Sequence, residues 1–216
     1  MSVNCFDKNL AKEIAKELLS IGAIKLQPED PFTWASGWQS PIYCDNRLSL
    51  SFPALRTKIK DSLANMIRER FPNTEVIAGV ATAGIPQGAL VAEALGLPMI
   101  YVRSKSKGHG LENQVEGKLN PGQKVIVVED LVSTGGSSLK AVEALRASGA
   151  EIEGMVSIFT YDFNIAREAM ESNHVNLSYL SDYPTLIEYA AENGLLKPEL
   201  VETLNAWRED PESWGK

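Results

Sequence analysis

The fold of this 216-residue chain is decided by one segment, VIVVEDLVSTGGSS, which covers residues 125–138. Its four leading β-branched residues are typical of a strand buried on both faces of a parallel sheet. Glu129 and Asp130 come at the predicted carboxyl end of that strand. A Gly/Ser/Thr loop follows, and Ser137 or Ser138 is predicted to cap a helix over residues 139–147. The segment therefore indicates a strand–loop–helix unit of an α/β protein.

The loop of this unit has the chemistry of an anion site. Its backbone N–H groups and the positive end of the following helix favour a phosphate. The hydroxyls of Ser133, Thr134 and Ser137 add donors. No lysine precedes the Ser/Thr as in GxxxxGK[ST], and the glycines do not fit GxGxxG. A helix capped by serines beside two solvated acids is the alternative interpretation, but the complete fourteen-residue pattern favours the phosphate site.

The acid pair indicates that the ligand also carries a group other than phosphate. A carboxylate repels a phosphate, so Glu129 and Asp130 are expected to serve ribose hydroxyls, a Mg²⁺ ion or positive charge developing on a sugar carbon. A ligand with a phosphate at one end and a diol at the other is a ribose 5-phosphate. The pattern resembles the signature with which type I phosphoribosyltransferases bind phosphoribosyl pyrophosphate (PRPP).

Composition narrows the class of protein. Hydrophobic residues make up 44% and charged residues 23% of the chain, which is typical of a globular protein. A net charge of −7 argues against a general nucleic-acid binder or a membrane-surface protein. The two cysteines, Cys5 and Cys44, have no metal-ligand spacing and suit a reducing compartment. No apolar run is long enough to span a bilayer, and the start is not a signal peptide, so we expect a cytoplasmic protein.

Strands alternate with helices along most of the chain, which predicts a mostly parallel sheet covered by helices on both faces. Strands are predicted at 76–81, 99–102, 124–128, 155–161 and 175–180, and helices at 51–71, 85–95, 139–147, 165–172, 185–192 and 198–208. An N-terminal helix ending at Gly22 is predicted as an appended element. Residues 32–47, here called the hood segment, are predicted to form two short strands joined by a turn at Ser36-Gly37. We expect one domain, with residues 1–50 forming the N-terminal helix and hood, and residues 51–216 the α/β core.

Ligands of open parallel sheets bind beyond the carboxyl ends of the strands. Four features fall at such ends and are expected to face a common crevice: Thr82-Ala83-Gly84, Arg103, Glu129-Asp130 and Asp162. The Thr82-Ala83-Gly84 turn also opens a helix, which makes it either a second anion site or a plain βα turn. In the hood segment, Tyr43 could stack on a planar anionic ligand and Arg47 could pair with its charge, although such aromatics are more often core residues.

The segment from Arg103 to Lys118 combines regularly spaced cations with glycines. Arg103, Lys105, Lys107 and His109 lie at every second position, which places them on one side of an extended chain. A long loop of this kind is either a solvated basic loop or functional, and the regular spacing in an acidic chain favours function. These side chains would neutralise a departing pyrophosphate, and closure of the loop would exclude water.

The chain as a whole resembles the orotate phosphoribosyltransferase family, whose members use PRPP. The resemblance covers nearly all of the sequence and is carried by FTWASGWQSPIYCDNR (32–47), VIAGVATAGI (76–85), YVRSKSKGHG (101–110), VIVVEDLVSTGGSS (125–138), VSIFTY (156–161) and LSDY (180–183). The PRPP motif alone is shared by many phosphoribosyltransferases, whereas the hood segment with the R-x-K-x-K-G-H-G loop is more specific. The resemblance implies the type I phosphoribosyltransferase fold with a small N-terminal hood subdomain, a Mg²⁺ requirement, and transfer of the phosphoribosyl group of PRPP to orotate in UMP biosynthesis.

The resemblance also implies roles for individual residues. Lys107, His109 and Asp130 would be catalytic, and Ser133 would lie near orotate together with Tyr43 and Arg47. The residues expected to bind PRPP are Thr82, Ala83, Gly84, Arg103, Lys105, Lys107, His109, Glu129, Asp130, Leu131, Val132, Ser133, Thr134, Gly135, Gly136 and Ser137. No residue is expected to ligate the metal directly, because Mg²⁺ is carried by PRPP. Family members are homodimers in which the cationic loop reaches the neighbouring subunit's site.

Three positions depart from the family pattern. Ala35 and Ser104 stand where many relatives have lysine, and Phe163 replaces an arginine that binds the orotate carboxylate. Arg47 is therefore the candidate for that carboxylate. Two other functions stay open: a phosphoribosyltransferase for a purine or uracil, which the hood segment disfavours, and a non-catalytic regulator that binds PRPP and nucleic acid, which the net charge and the intact cationic loop disfavour.

Overall fold

A seven-stranded sheet lies at the centre of the computed structural model, which describes residues 3–34, 36–104 and 114–214. In sheet order its strands are β1 (Val3–Cys5), β11 (Leu177–Asp182), β10 (Glu151–Thr160), β9 (Lys124–Val132), β6 (Val76–Val80), β7 (Met99–Val102) and β8 (Val115–Glu116). All neighbouring pairs are parallel except β7 with β8. The predicted α/β class with a mostly parallel sheet is confirmed.

Helices cover both faces of this sheet. They are α1 (Lys8–Ser20), α2 (Pro53–Arg70), α3 (Gly84–Leu95), α4 (Gly136–Ala147), α5 (Asn164–Ser172), α6 (Tyr183–Glu192) and α7 (Pro198–Glu209). Apolar residues of α1, α2, α3, α6 and α7 share one buried cluster with one sheet face, and those of α4 share another with the opposite face, while α5 contributes Ala166 to the first cluster and Met170 to the second. The predicted helices are therefore all present, with ends that differ from the predicted ones by a few residues at most.

The hood segment lies among short antiparallel strands outside the central sheet. Strand β3 (Phe32–Thr33) pairs with β4 (Gln39–Ser40), and β2 (Ile24–Leu26) pairs with β5 (Ile42–Cys44). The turn between β3 and β4 contains Gly37 at a φ of 87°, a left-handed conformation that glycine adopts without strain. A 3₁₀ helix (Asn46–Ser51) then leads into α2. The predicted hairpin is confirmed, whereas β2 was not predicted because three residues show no usable alternation.

Two predicted features at the edges of the sheet are wrong. The N-terminal helix is not an appended element: β1 precedes it and pairs in parallel with β11, and α1 packs against β11 and α6. The segment from Arg103 to Lys118 is not a single irregular loop either, because β8 returns antiparallel to β7 and pairs Val115 with Val102. Both strands are too short to give a periodic signal.

The predicted end of the central strand and the predicted helix cap are also wrong. Strand β9 continues to Val132 because β10 goes on pairing with it, so Glu129 and Asp130 lie inside the strand. Helix α4 begins at Gly136 after Gly135, which has a φ of 83° and makes no side-chain cap hydrogen bond. Ser137 and Ser138 therefore lie in the first turn of the helix instead of capping it.

Candidate active site

Close packing of glycines holds the start of α3 against the acidic part of β9. A Cβ atom added to Gly84 would lie 2.4 Å from the carbonyl oxygen of Val128, and one added to Gly79 would lie 2.8 Å from the carbonyl oxygen of Gly84. Side chains at either position would push the helix away from the sheet. The peptide bond between Ala81 and Thr82 is cis. The Thr82-Ala83-Gly84 turn thus lies directly beside the strand that carries Glu129.

Glu129 is a buried acid with one defined partner. Its side chain is 5% exposed, and the hydroxyl of Ser138 donates a hydrogen bond of 2.7 Å to its Oε1. The pKa of Glu129 is raised to about 8, chiefly by burial and to a smaller extent by the charge of Asp130, while the Ser138 hydrogen bond acts in the opposite direction. The site therefore holds a carboxyl group that titrates near neutral pH.

Asp130 faces the hood side of the sheet. Its main-chain oxygen accepts a hydrogen bond of 2.7 Å from Nδ2 of Asn46, a buried residue at the start of the 3₁₀ helix. Burial raises the pKa of the Asp130 carboxyl, and backbone N–H groups act against that shift. The Asn46 contact links the end of the hood segment to the acid pair, so the hood and the acids keep a common geometry.

An aromatic cavity of about 430 Å³, here called the base-side cavity, opens between the hood segment and β9. Its lining residues are Phe32, Thr33, Trp34, Tyr43, Cys44, Leu131, Ser133 and Tyr161. The Phe32 and Tyr43 rings lie 5.7 Å apart. Aromatic walls with a few polar groups suit a flat heterocycle. Tyr43, Leu131 and Ser133, three of the predicted site residues, meet here.

A second cavity of about 430 Å³, here called the phosphate-side cavity, lies on the other flank of the loop that joins β9 to α4. It is lined by Val80, Ala81, Arg103, Ser104, Gln114, Ser137, Lys140, Ala141 and Glu143. The structure thus brings the predicted residues Arg103 and Ser137 together. Lys140 was missed, although its position one turn after Ser137 on the same helix face could have indicated it.

The loop between the two cavities contains the remaining predicted residues of the PRPP motif. Thr134 is half-buried, Gly135 is buried, and the position of a Cβ on Gly136 is open. The Val132 side chain is fully buried in the core, and its carbonyl oxygen accepts a hydrogen bond of 3.0 Å from Oγ1 of Thr160. Only the main chain of Val132 therefore remains available to a ligand.

Some predicted residues do not join either cavity. Asp162 is 6% exposed and forms ion pairs with Arg167 at 2.6 Å and Arg208 at 3.7 Å, so its expected place in the common crevice is not what the structure shows. Arg47 forms a two-pronged pair with Asp45, with N–O distances of 2.6 and 2.9 Å, and does not line the base-side cavity. Lys105, Lys107 and His109 lie outside the described residues, as does Ala35.

Comparison with known proteins adds to this geometry. A family profile described as "Phosphoribosyl transferase domain" matches residues 50–178. The chain is 56% identical over 208 residues to the orotate phosphoribosyltransferase of Cytophaga hutchinsonii, covering 96% of this chain and 100% of the relative. It is also 56% identical to the orotate phosphoribosyltransferases of Bacteroides thetaiotaomicron (96% and 98% covered) and Bacillus cereus (95% and 99% covered).

The chain belongs to the orotate phosphoribosyltransferase family. Among solved structures, it is similar to orotate phosphoribosyltransferase from Aeropyrum pernix, with a TM-score of 0.74, 30% identity, and coverage of 85% of this chain and 99% of that one. It also shares its fold with Leishmania donovani UMP synthase, with a TM-score of 0.78 and 24% identity. That match covers 93% of this chain and 42% of the UMP synthase chain. The predicted family, fold class and enzyme class are confirmed.

Within this orotate phosphoribosyltransferase family member, an aromatic cluster that sequence reasoning missed supports the base-side cavity. The Trp34 and Tyr161 rings, which line the cavity, lie 5.1 Å apart. The fully buried Trp207 of α7 contacts both edge-on, at 5.7 and 5.8 Å. Phe163 is 1% exposed and stacks on Tyr161 at 5.4 Å. No local pattern could reveal this cluster, because its members come from opposite ends of the chain.

In the described part of the chain, no helix is long and apolar enough to cross a membrane. The same ranges contain no group of three or more His, Cys, Asp or Glu side chains placed to hold a metal ion.

Proposed function

We propose that the protein transfers the 5-phosphoribosyl group of PRPP to orotate, which gives orotidine 5′-monophosphate and pyrophosphate for UMP biosynthesis. The observation that carries the proposal is the pair of cavities on either flank of the loop between β9 and α4. The base-side cavity is aromatic and contains Ser133, and the phosphate-side cavity is polar and contains Arg103, Ser137 and Lys140. A planar base and a phosphorylated sugar match these two environments.

PRPP is proposed to bind along this loop. The backbone N–H groups of residues 133–137, at the N-terminus of a twelve-residue helix, would receive the 5-phosphate. Glu129 and Asp130 would accept hydrogen bonds from the ribose hydroxyls, while the main chain of Leu131 and Val132 positions them. The Thr82-Ala83-Gly84 turn, packed against β9 through Gly84, would face the pyrophosphate.

The proposed reaction exchanges two bonds at C1 of the ribose. The bond from C1 to the pyrophosphate oxygen breaks, and a ring nitrogen of orotate, as its anion, forms the new bond to C1. Positive charge builds on the sugar as the bonds exchange, and a carboxylate held nearby stabilises it. Asp130 is the acid placed for that role on the hood side of the strand. Arg103 and Lys140 lie where cations could offset the charge of the departing pyrophosphate.

Mg²⁺ is proposed to arrive with PRPP instead of occupying a resident site. The residues present fit a metal carried by the donor: the buried Glu129 and the half-buried Asp130 adjoin the loop and could accept hydrogen bonds from its ribose or its hydrated metal. When bound, Mg²⁺ neutralises part of the charge on the pyrophosphate. The protein's residues then orient the sugar, and the loop between β7 and β8 would exclude water.

The orotate carboxylate needs a cation, and Arg47 remains the proposed one. It would exchange its pairing with Asp45 for the ligand, a small cost because the Arg47 side chain is 60% exposed. Replacing Arg47 by alanine should raise the KM for orotate without changing the KM for PRPP. The matched Asp45→Asn variant, which releases Arg47, should leave the orotate KM equal or lower. An unchanged orotate KM in Arg47→Ala would remove Arg47 from the site.

We also propose a cytoplasmic homodimer with shared active sites. Arg103 lies at the base of the β7–β8 hairpin, where its main-chain N–H donates to the carbonyl oxygen of Gln114 at 2.9 Å. The hairpin carries Lys105, Lys107 and His109 between its strands. Strand β8 is the edge strand of the sheet, which supports the proposal that the segment between β7 and β8 serves a neighbouring subunit.

The decisive experiment is a panel of bases incubated with PRPP and Mg²⁺, followed by pyrophosphate release. We expect release with orotate and none with uracil, hypoxanthine or adenine. An Asp130→Asn variant that remains folded should release far less. Turnover of another base in the absence of turnover with orotate would overturn the proposed substrate, and binding of PRPP with no turnover of any base would overturn the enzymatic reaction itself.

A further inference from the structure

The first turn of α4 makes one side-chain contact that no part of the proposed reaction uses. The hydroxyl of Ser138, which is 1% exposed, donates to Oε1 of Glu129 at 2.7 Å. Both residues are buried, and they come from the two elements that flank the phosphate loop. The bond therefore connects the strand end that faces the sugar with the helix that faces the phosphate.

This contact is specific to Ser138 and not general to the polar residues around Glu129. Ser157 of β10 lies opposite Glu129 in the parallel register and is fully buried. Its hydroxyl has no hydrogen-bond partner in the described part of the chain. Of these two buried serines near Glu129, Ser138 forms a hydrogen bond with its carboxyl.

The hydrogen bond from Ser138 restricts the orientation of the Glu129 carboxyl group. Oε1 accepts from the Ser138 hydroxyl, and a backbone N–H of Asp130 also hydrogen-bonds to the carboxyl, whereas no second side-chain donor to it is found among the described residues. A glutamate side chain has three rotatable bonds, so a hydrogen bond at one oxygen restricts the direction of the other. A donor on the sugar side would then meet an oxygen that is already oriented, and the ordering cost of binding would be lower.

We propose that Ser138 is a positioning residue that holds Glu129 so that its second carboxyl oxygen faces a ribose hydroxyl of the donor. This inference rests on the proposed function, because it assigns the sugar end of PRPP to Glu129. Ser138 touches no substrate in this arrangement and acts only through Glu129. Its loss is expected to weaken the use of PRPP and to spare the use of orotate.

The test is a double-mutant cycle of Ser138→Ala and Glu129→Ala, with Ser157→Ala as the matched control. Ser138→Ala should raise the KM for PRPP by about fivefold or more, the loss expected for one side-chain hydrogen bond, and leave the KM for orotate within about twofold. In the Glu129→Ala background, the same substitution should have little further effect, because the acceptor of the Ser138 hydroxyl has been removed. Ser157→Ala should leave the KM for PRPP unchanged.

Three results would overturn the inference. They are an unchanged KM for PRPP in Ser138→Ala, an additive cycle, or an equal effect of Ser157→Ala. If Ser138→Ala does not fold, Ser138→Cys replaces it in the cycle, since a thiol of similar size is a weaker donor and should give a smaller increase. Activity of the wild-type protein distinguishes failure of the proposed function from failure of this inference. If the wild-type protein released no pyrophosphate with orotate, the proposed function would be refuted. If it released pyrophosphate normally but the cycle was additive, only the role of Ser138 would be refuted.

Discussion

The indole Nε1 of Trp207 donates a hydrogen bond of 3.1 Å to the main-chain oxygen of Gln39. Trp207 lies in α7, close to the end of the chain, and Gln39 lies in the β3–β4 hairpin of the hood segment. The same indole ring also packs edge-on against Trp34 and Tyr161, which line the base-side cavity. Helix α7, which follows the matched phosphoribosyltransferase region, therefore supports the wall of the cavity proposed for orotate.

Replacing Trp207 by phenylalanine tests this support. The variant keeps an aromatic ring but loses the N–H donor and leaves a small void, so it should lose about 1–3 kcal/mol of stability. The hood would then hold the cavity less firmly, and the KM for orotate should rise several-fold with little change in the KM for PRPP. Steady-state kinetics with each substrate varied in turn measures both. The half-buried Trp214 supplies the control, because Trp214→Phe should change neither constant; equal changes in both variants would contradict the prediction.

Gly84→Ala should separate α3 from β9. The added Cβ would lie 2.4 Å from the carbonyl oxygen of Val128, a main-chain contact that cannot be relieved by a side-chain rotation. We expect a loss of stability of about 2 kcal/mol or more, together with a large loss of activity, because the Thr82-Ala83-Gly84 turn shifts. Gly136→Ala is the control for stability, since its Cβ would meet nothing within 4 Å. Thermal unfolding of both variants gives the comparison, and equal melting temperatures would refute the packing argument.

The buried Glu129 should make stability depend on pH. Its pKa lies at about 8 in the folded protein and near the ordinary value of 4.5 in the unfolded chain. Between those values the folded state holds a proton that the unfolded state has lost, so the free energy of unfolding falls as pH rises, by at most about 1.4 kcal/mol per pH unit. Urea unfolding from pH 5 to 9 measures this slope.

Glu129→Gln should flatten that slope, because glutamine does not titrate. The exposed residue Glu202 of α7 serves as the control, since Glu202→Gln makes the same chemical substitution at an exposed position and should retain the wild-type slope. A wild-type slope in Glu129→Gln would show that other groups carry the pH dependence. A reduced slope in both variants would point instead to the overall charge of the protein.

Shared active sites predict complementation between two inactive variants. Asp130→Asn removes the acid beside the sugar, and Lys107→Ala removes a cation of the β7–β8 loop. Each homodimer should be nearly inactive, yet after subunit exchange some heterodimers hold one site with both residues intact. Up to about a quarter of the wild-type activity should return if exchange is complete and statistical. Native mass spectrometry verifies the exchange, and absence of recovery despite exchange would place the loop in its own subunit's site.

Much of this protein could be predicted from local sequence. The β-branched start of residues 125–138 identified a central parallel strand, and the glycine-rich loop correctly predicted the turn between that strand and the next helix, because both signals arise from neighbouring residues. The extension of β9 through Val132 was missed, since the acids at Glu129 and Asp130 interrupt the apolar pattern while the hydrogen bonds to β10 continue. The start of α4 was missed because Gly135, and not a serine, precedes its first turn.

The sequence by itself determined the fold class, the family and the chemistry of the loop, since those depend on residue types at short spacing. Only the tertiary structure decided which residues meet. It showed Trp207 from the last helix against Trp34 of the hood, Ser138 against Glu129, and Asp162 paired with two arginines away from both cavities. Such contacts are set by how elements distant in the chain pack together, and side-chain burial and hydrogen bonding follow from that packing.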